Sequence, residues 1–83
     1  MLEMLIVSPG DVLFRGQARR VILPGEQGVM EILPFHRPLV SRLLPGVIVV
    51  DDAMVPIERG VVKVDHDLLT VIVEQAPASS EGR

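Results

Sequence analysis

Glycine and proline interrupt this sequence at short intervals, from Pro9-Gly10 near the start to Gly60. The runs between them are rich in valine, leucine and isoleucine, residues that suit a pleated, half-buried strand. A helix of about ten or more residues has almost no room. The best helical candidate, residues 38–44, would end at Pro45-Gly46. The pattern therefore predicts an all-β fold, a small two-sheet β-sandwich of about 8–10 short strands with no substantial helix.

The interruptions also define where each strand should begin and end. Asp51-Asp52-Ala53 and Asp65-His66-Asp67 are expected at hairpin tips, where aspartate hydrogen-bonds its own backbone. Both faces of the segment 47–50 are apolar, so it should be buried on both sides or covered by a partner. The predicted strands are 2–7, 12–14, 18–23, 28–33, 39–44, 47–50, 54–58, 61–64 and 68–74.

A chain of 83 residues is long enough for one domain only. We expect that domain at 1–75, followed by a flexible tail or linker at 76–83 with a proline, serine and glycine composition. The absence of cysteine excludes disulfides and thiolate metal sites, and it fits a reducing compartment. No apolar run approaches the ~18 residues of a membrane-spanning helix. The opening residues lack the basic start of a signal peptide.

The charge balance argues against nucleic acid as a partner. The net charge is −3, and the basic cluster Arg15, Arg19 and Arg20 fits solvated positions on a hairpin. A nucleic-acid binder should carry a basic surplus or a basic stripe. With two phenylalanines and no tyrosine or tryptophan, the chain also lacks aromatic platforms on which bases could stack.

No set of residues in the sequence forms a catalytic or metal-binding motif. His36 and His66 lack a second ligand at metal-like spacing, and the aspartates beside His66 diverge on a tight turn. The adjacent carboxylates Asp51-Asp52 at a solvated turn are poor general acids at neutral pH. Residues 25–28 have two glycines but lack the lysine of a phosphate-binding loop. We therefore predict a non-catalytic chain without a catalytic, cofactor or metal site and without a small-molecule substrate.

Several segments form an ordered series that resembles a known family. Residues 21–28 read Val-Ile-Leu-Pro-Gly-Glu-Gln-Gly, and residues 33–39 read Leu-Pro-Phe-His-Arg-Pro-Leu. With the segments 2–10, 12–16, 44–47 and 69–73, they resemble the N-terminal β-sandwich domain of the epsilon subunit of F-type ATP synthases, called delta in mitochondria. The resemblance covers about residues 2–76 in the family's order.

The sequence departs from the family in its most distinctive stretch. Phe35 and Arg37 replace a usual glycine and alanine, so the loop tip is larger and more charged. Glu31 stands where the family commonly has glycine, and Val29 where it often has an acidic residue. These changes indicate a divergent branch whose partner surface has co-adapted. The family normally continues into a two-helix C-terminal domain, so the sequence is either naturally short or a fragment, and nucleotide binding is not carried over.

The loop between Pro34 and Pro38 is the expected docking element. Each proline biases its predecessor towards an extended backbone, so the loop should be a short, stiff arc. It would present Phe35, His36 and Arg37 outward, where an exposed phenylalanine needs a partner to cover it. The alternative is that Phe35 belongs to the core.

The resemblance implies a non-catalytic central-stalk (rotor) subunit of an F-type ATP synthase. Such a subunit couples the gamma subunit to the c-ring during ion-driven ATP synthesis, with protons or sodium ions as the coupling ion. It would lie on the cytoplasmic side of the inner (plasma) membrane, as a peripheral part of the complex without direct membrane insertion. By position, the c-ring contact candidates are Val29, Met30, Phe35, His36 and Arg37, and the gamma contact candidates are Ser8, Val40 and Arg42.

Two other functions remain open from the sequence. One is a stand-alone β-sandwich adaptor domain with an unrelated partner. The other is a biotinyl- or lipoyl-type carrier domain, which needs a modifiable lysine at an exposed hairpin tip. The only lysine, Lys63, falls inside the predicted strand 61–64 and fits that requirement poorly.

Overall fold

The structure is a computed structural model that describes residues 1–75, and these residues form strands without a helix. The strands follow the order β2-β1-β8-β7-β5-β3-β4 in one continuous hydrogen-bonded sheet, with β6 paired to β3 and β7. The all-β prediction is confirmed, while the expected tail at 76–83 lies outside the described residues. The strands are β1 Leu2–Ser8, β2 Asp11–Ala18, β3 Val21–Gly25, β4 Gly28–Ile32, β5 Leu39–Leu43, β6 Gly46–Val50, β7 Ala53–Asp65 and β8 Leu68–Gln75.

The long strand β7 belongs to both layers of the sandwich. Its first half pairs with β6 and its second half with β5 and β8, with an irregular register between Ile57 and Arg59. Layer 1 therefore contains β2, β1, β8, the second half of β7 and β5, and layer 2 contains the first half of β7, β6, β3 and β4. Predicting separate strands at 54–58 and 61–64 was wrong, because the backbone continues through Gly60 instead of turning there.

Layer 1 is organised around a parallel pair of strands. β1 and β8 run in the same direction over five paired positions, from Glu3 beside Leu68 to Val7 beside Ile72. β2 and β7 flank this pair with antiparallel pairings. The first strand of the chain is thereby hydrogen-bonded to the last strand that the structure describes.

An aspartate fixes the crossing from β2 to β3. The sequence predicted a break near Gly16, but β2 continues through it and ends at Ala18. The Asp51 carboxylate accepts hydrogen bonds from the backbone N–H groups of Arg19, at 3.0 Å, and Arg20, at 3.2 Å. These two bonds satisfy the backbone donors at the point where the chain leaves layer 1 and enters layer 2.

The core is entirely apolar among the buried residues of the described part. Alternate side chains from both layers meet in one cluster, including Leu2 and Ile6 from layer 1 and Leu23 and Ile48 from layer 2. In β6 only Ile48 and Val50 are buried, while Val47 is 42% exposed. Burial of segment 47–50 on both sides within the described residues was therefore wrong, since its second face points away from the core. The alternative, that a partner covers this face, stays a prediction.

Candidate docking surfaces

The proline loop, residues 33–38, presents its aromatic side chain to solvent. Phe35 is 92% exposed and has a left-handed backbone, with φ of 68°. Its N–H donates a 2.8 Å hydrogen bond to Oδ1 of Asp67, and the His36 N–H donates to the Leu33 carbonyl at 3.2 Å. Placing Phe35 in the core was the wrong alternative. A well-tethered loop with an exposed aromatic tip is suited to contact another molecule.

The hairpin tips predicted from the aspartates are confirmed, but the role of these residues differs from the prediction. We expected each aspartate to bond its own backbone. Asp67 instead binds the backbone of the proline loop, and Asp51 binds the β2–β3 crossing, each 31 or 32 positions away in sequence. The two carboxylates hold connecting segments against the sandwich, a role that local turn statistics do not reveal.

Two histidines meet beside the exposed phenylalanine. His36 and His66 line one depression of about 430 Å³ together with Phe35, Pro38 and Asp67. Nδ1 of His36 lies 2.7 Å from the Arg37 carbonyl oxygen, and Nδ1 of His66 lies 3.0 Å from Oδ1 of Asp65. In residues 1–75 no group of three or more histidine, aspartate or glutamate side chains is arranged to hold a metal ion.

The outer face of layer 1 carries an apolar ridge that crosses four strands. Val12 pairs with Val7, Val7 with Ile72, and Ile72 with Val61, so these four side chains form one row. Val12 is 50% exposed, Ile72 56% and Val61 45%. Nothing within the described part of the chain covers this row. Stiff β-branched side chains in a continuous line make a flat, preformed contact surface.

Three cations of the described residues border the apolar ridge without forming an ion pair. Arg42 is paired with Val61 and continues the ridge onto β5. Lys63 and Arg15 lie in the adjacent row, where Lys63 pairs with Val40 and Thr70, and Arg15 with Leu5. All three cations are exposed. Among residues 1–75 the ion pairs are Arg20–Glu31, Arg59–Glu74 and His66–Asp65, so none involves Arg42, Lys63 or Arg15. The Arg59–Glu74 pair lies on the same face, at the opposite border of the ridge.

The structure groups the candidate contact residues differently from the sequence. Val29 and Met30 line a groove of about 690 Å³ together with Val40 and Arg42, so members of both predicted sets meet there. Val29 is 77% exposed and Val40 is 71% exposed. The remaining residues lie elsewhere: Phe35, His36 and Arg37 are in the proline loop beyond the other end of β4, and Ser8 is half-buried at the end of β1.

A second groove extends the ridge towards the β5–β6 connection. It has a volume of about 580 Å³, and Val61, Ile72 and Leu44 are among the residues that line it. The Arg59–Glu74 ion pair, 2.9 Å long, lies among its lining residues. Sequence reasoning missed Val7, Val12, Val61, Ile72, Lys63 and Arg15 as parts of a surface. The available signal was an apolar residue at one outward position in each of four strands, and these positions form a row only once the strand order is known.

Residues 1–75 contain no helix that is long and apolar enough to cross a membrane. The described residues also contain no buried polar or charged side chain that could serve as a protected reactive group. The surfaces described above can thus offer shape, apolar area and charge to a partner.

Sequence comparison identifies the relatives of this fold. Residues 1–79 match the family model described as the ATP synthase delta/epsilon chain β-sandwich domain. The chain is 41% identical to an ATP synthase epsilon chain of a Sulfurovum species, covering 96% of this chain and 66% of the relative. It is 34% identical to the ATP synthase epsilon chain of Bordetella petrii, covering 90% and 57%, respectively. The chain spans about 57–66% of the length of these two curated relatives.

Solved structures share the fold at low sequence identity. A chain of the Euglena gracilis mitochondrial ATP synthase aligns with a TM-score of 0.83 and 16% identity, covering 99% of this chain and 56% of that one. A chain from the central stalk and c-ring of the Tetrahymena thermophila mitochondrial ATP synthase aligns with a TM-score of 0.72 and 16% identity, covering 89% and 63%. The sandwich is therefore an architecture already seen in ATP synthase assemblies.

Proposed function

Because the chain belongs to the delta/epsilon β-sandwich family of ATP synthases, we propose that it is a non-catalytic subunit of the rotor's central stalk. In this role it couples the gamma subunit to the c-ring during ion-driven ATP synthesis. It is a peripheral component on the cytoplasmic side of the inner (plasma) membrane. The domain that we assign to this role is 1–75.

The observation that carries the proposal is the uncovered apolar ridge on layer 1. A sheet face turned to water is normally dominated by polar side chains. Here Ile72 is 56% exposed at the centre of the ridge, next to Val61 and Val7. A subunit with a permanent partner keeps such a face because the partner covers it. We assign this face, with Val40, Arg42 and the adjacent Ser8, to the gamma subunit.

The proline loop and the neighbouring edge strand support a second contact, with the c-ring. β4 lies at one end of the strand order, and the loop continues directly from it. Val29 on β4 and Phe35 in the loop are the most exposed apolar side chains of this edge. Met30, His36 and Arg37 complete the proposed ring-facing edge, which adjoins the gamma-facing side in the groove that Val29 and Met30 share with Val40 and Arg42. The tether between Phe35 and Asp67 would let this edge transmit force without first becoming ordered.

The path between the two surfaces is a packed body. Side chains from both layers interdigitate in one apolar cluster, which resists deformation because protein interiors are packed as densely as organic crystals. β7 adds a covalent connection between the layers. Such a body suits a mechanical joint that passes torque from one docking surface to the other.

The carrier alternative does not fit the position of the only lysine. Lys63 lies in the second half of β7, paired on both sides with Val40 and Thr70. A lysine that receives a prosthetic group must reach a separate enzyme from a hairpin tip. The hairpin tips within residues 1–75 are 9–10, 26–27, 51–52 and 66–67, and none holds a lysine. An adaptor domain for an unrelated partner would use the same surfaces. The identity of the bound partner therefore distinguishes the adaptor function from the stalk function.

Photo-crosslinking in the assembled synthase tests the proposal. A photoreactive amino acid placed at Val40 should yield a product with gamma, and one placed at Phe35 should yield a product with the c subunit. The same reagent at Asp52, an exposed residue at the β6–β7 tip, serves as the control and should yield neither product. Products with proteins outside the synthase would overturn the stalk assignment in favour of the adaptor.

A further inference from the structure

The chemistry of the ridge border indicates what kind of partner segment can cover it. Arg42, Lys63 and Arg15 are exposed cations on the outer face of layer 1, and no ion pair of the described part neutralises them. The two borders of the ridge differ: one carries Lys63 and Arg15, which have no ion pair, and the other carries the paired Arg59 and Glu74. A border with unpaired cations favours a partner that places carboxylates along that side.

We propose that the outer face of layer 1 docks an amphipathic helix of the gamma subunit whose apolar stripe is bordered on one side by carboxylates. This inference rests on the proposed function for the identity of the partner and adds the chemistry of recognition. Val61, Ile72 and Val7 provide the apolar contact, and Lys63 and Arg15 act as specificity-determining residues.

The dimensions of the face fit a short helix lying across the strands. Lys63 on β7 and Arg15 on β2 are separated by β8 and β1, so strand spacing places them roughly 14 Å apart. Ten helical residues rise about 15 Å. Carboxylates about ten or eleven residues apart on one side of a helix would therefore face both cations, because that interval is close to three complete turns.

Two other occupants fit the face less well. A second copy of the chain would present a face with the same unpaired cations and without a matching row of carboxylates beside the ridge, and like charges at close range oppose association. An anionic lipid surface would meet the positive charge, but membrane-inserting faces are rich in tryptophan, phenylalanine and leucine. The ridge consists of short valine and isoleucine side chains that reach little beyond the sheet.

Binding of the full chain to the recombinant gamma subunit of the same synthase tests the inference. The double variant Arg15→Glu/Lys63→Glu should bind about tenfold or more weakly than the wild type, and Arg15→Gln/Lys63→Gln should fall between them. The reversed variant should also lose much of the salt dependence of binding. Arg19→Glu is the matched control, since Arg19 is an exposed cation on the β2–β3 crossing, away from the ridge. It should bind as the wild type does.

The outcomes separate the inference from the function on which it rests. If the wild type binds gamma and both reversed and neutral variants bind equally well, the acidic helix is wrong while the stalk function stands. If the wild type fails to bind gamma, the proposed function fails.

Sedimentation with phosphatidylglycerol vesicles tests whether the cations bind lipid instead. Vesicle binding that depends on Lys63 and Arg15, with gamma binding unchanged, would assign the cations to lipid and overturn the inference.

Discussion

The backbone N–H of Phe35 donates a 2.8 Å hydrogen bond to Oδ1 of Asp67, which lies 32 positions further along the chain. This bond joins the proline loop to the β7–β8 hairpin tip and holds the exposed aromatic ring in place. The same tip is anchored to β1, since the Glu3 N–H donates to the Asp67 carbonyl at 2.7 Å. Asp67 thus links three separate segments at one end of the sandwich.

Replacing Asp67 should loosen the proline loop before it affects the rest of the fold. Asp67→Ala removes the acceptor for the Phe35 N–H, and we expect a loss of about 1 kcal/mol in the free energy of unfolding. Amide hydrogen exchange at Phe35 and His36 should accelerate more than exchange in β1 or β8. Asp52→Ala, at the β6–β7 hairpin tip, is the control and should change neither the free energy of unfolding nor the exchange at Phe35 and His36. Unchanged exchange at Phe35 in Asp67→Ala would contradict this role.

At Phe35, the side chain that favours the proposed contact with the c-ring should lower the stability of the folded domain. Its φ of 68° is left-handed, a conformation that costs a residue with a Cβ roughly 1–2 kcal/mol but not glycine. Phe35→Gly should therefore raise the urea unfolding midpoint while weakening the proposed contact with the c-ring. Phe35→Ala removes the ring without relieving the backbone, so its midpoint should lie below that of Phe35→Gly. Equal midpoints for the two variants would argue against backbone strain at this position.

Gly60 should not tolerate a side chain. A Cβ at this position would lie 2.6 Å from the Ile72 carbonyl oxygen and 2.8 Å from Cγ1 of Val73. Because the clash involves backbone at the point where β7 passes between layers, Gly60→Ala should cost about 2 kcal/mol of stability in urea denaturation. Gly16→Ala is the matched control within a strand, since its Cβ would meet only the Phe14 ring at 3.7 Å. A Gly60→Ala midpoint equal to that of Gly16→Ala would show that the strands can separate there.

The ridge should matter for association and little for folding. Ile72→Ser removes an apolar side chain that is 56% exposed, so the unfolding free energy should change by less than about 1 kcal/mol. Binding to the gamma subunit should weaken about tenfold or more, because Ile72 lies at the centre of the ridge. Met54→Ser is the control, since Met54 is 71% exposed on layer 2. Equal loss of gamma binding in both variants would mean that the assignment to layer 1 is wrong.

Much of the fold could be predicted because glycine, proline and aspartate mark most strand ends locally. The exceptions are places where tertiary contacts override a local signal. Gly60 resembles a turn residue, but β7 continues through it. The backbone of β8 lies where a side chain at this position would be, which only glycine permits. Gly16 lies inside β2, and the break falls at Arg19 and Arg20, where a distant carboxylate binds the backbone.

The candidate surfaces were only partly predictable for a similar reason. The prolines around Phe35 indicate an exposed loop without knowledge of the topology. The ridge of Val12, Val7, Ile72 and Val61 comes from two strand pairs, β1–β2 and β7–β8, that are widely separated in sequence. Taken alone, each of these residues is an ordinary apolar residue of a β-strand. Only the parallel pairing of β1 with β8 places them in one row.

The parallel pairing of β1 and β8 also determines how the domain responds to pulling. Leu2 begins β1 at one end of the pair and Gln75 ends β8 at the other, so tension between these residues slides the two strands along each other. In that direction the hydrogen bonds of all five paired positions are strained at the same time, whereas a hairpin opens one bond after another. The domain should consequently resist force applied between Leu2 and Gln75. A force that pulls β2 sideways from the edge of the sheet should break its hydrogen bonds one after another and unfold the domain more easily.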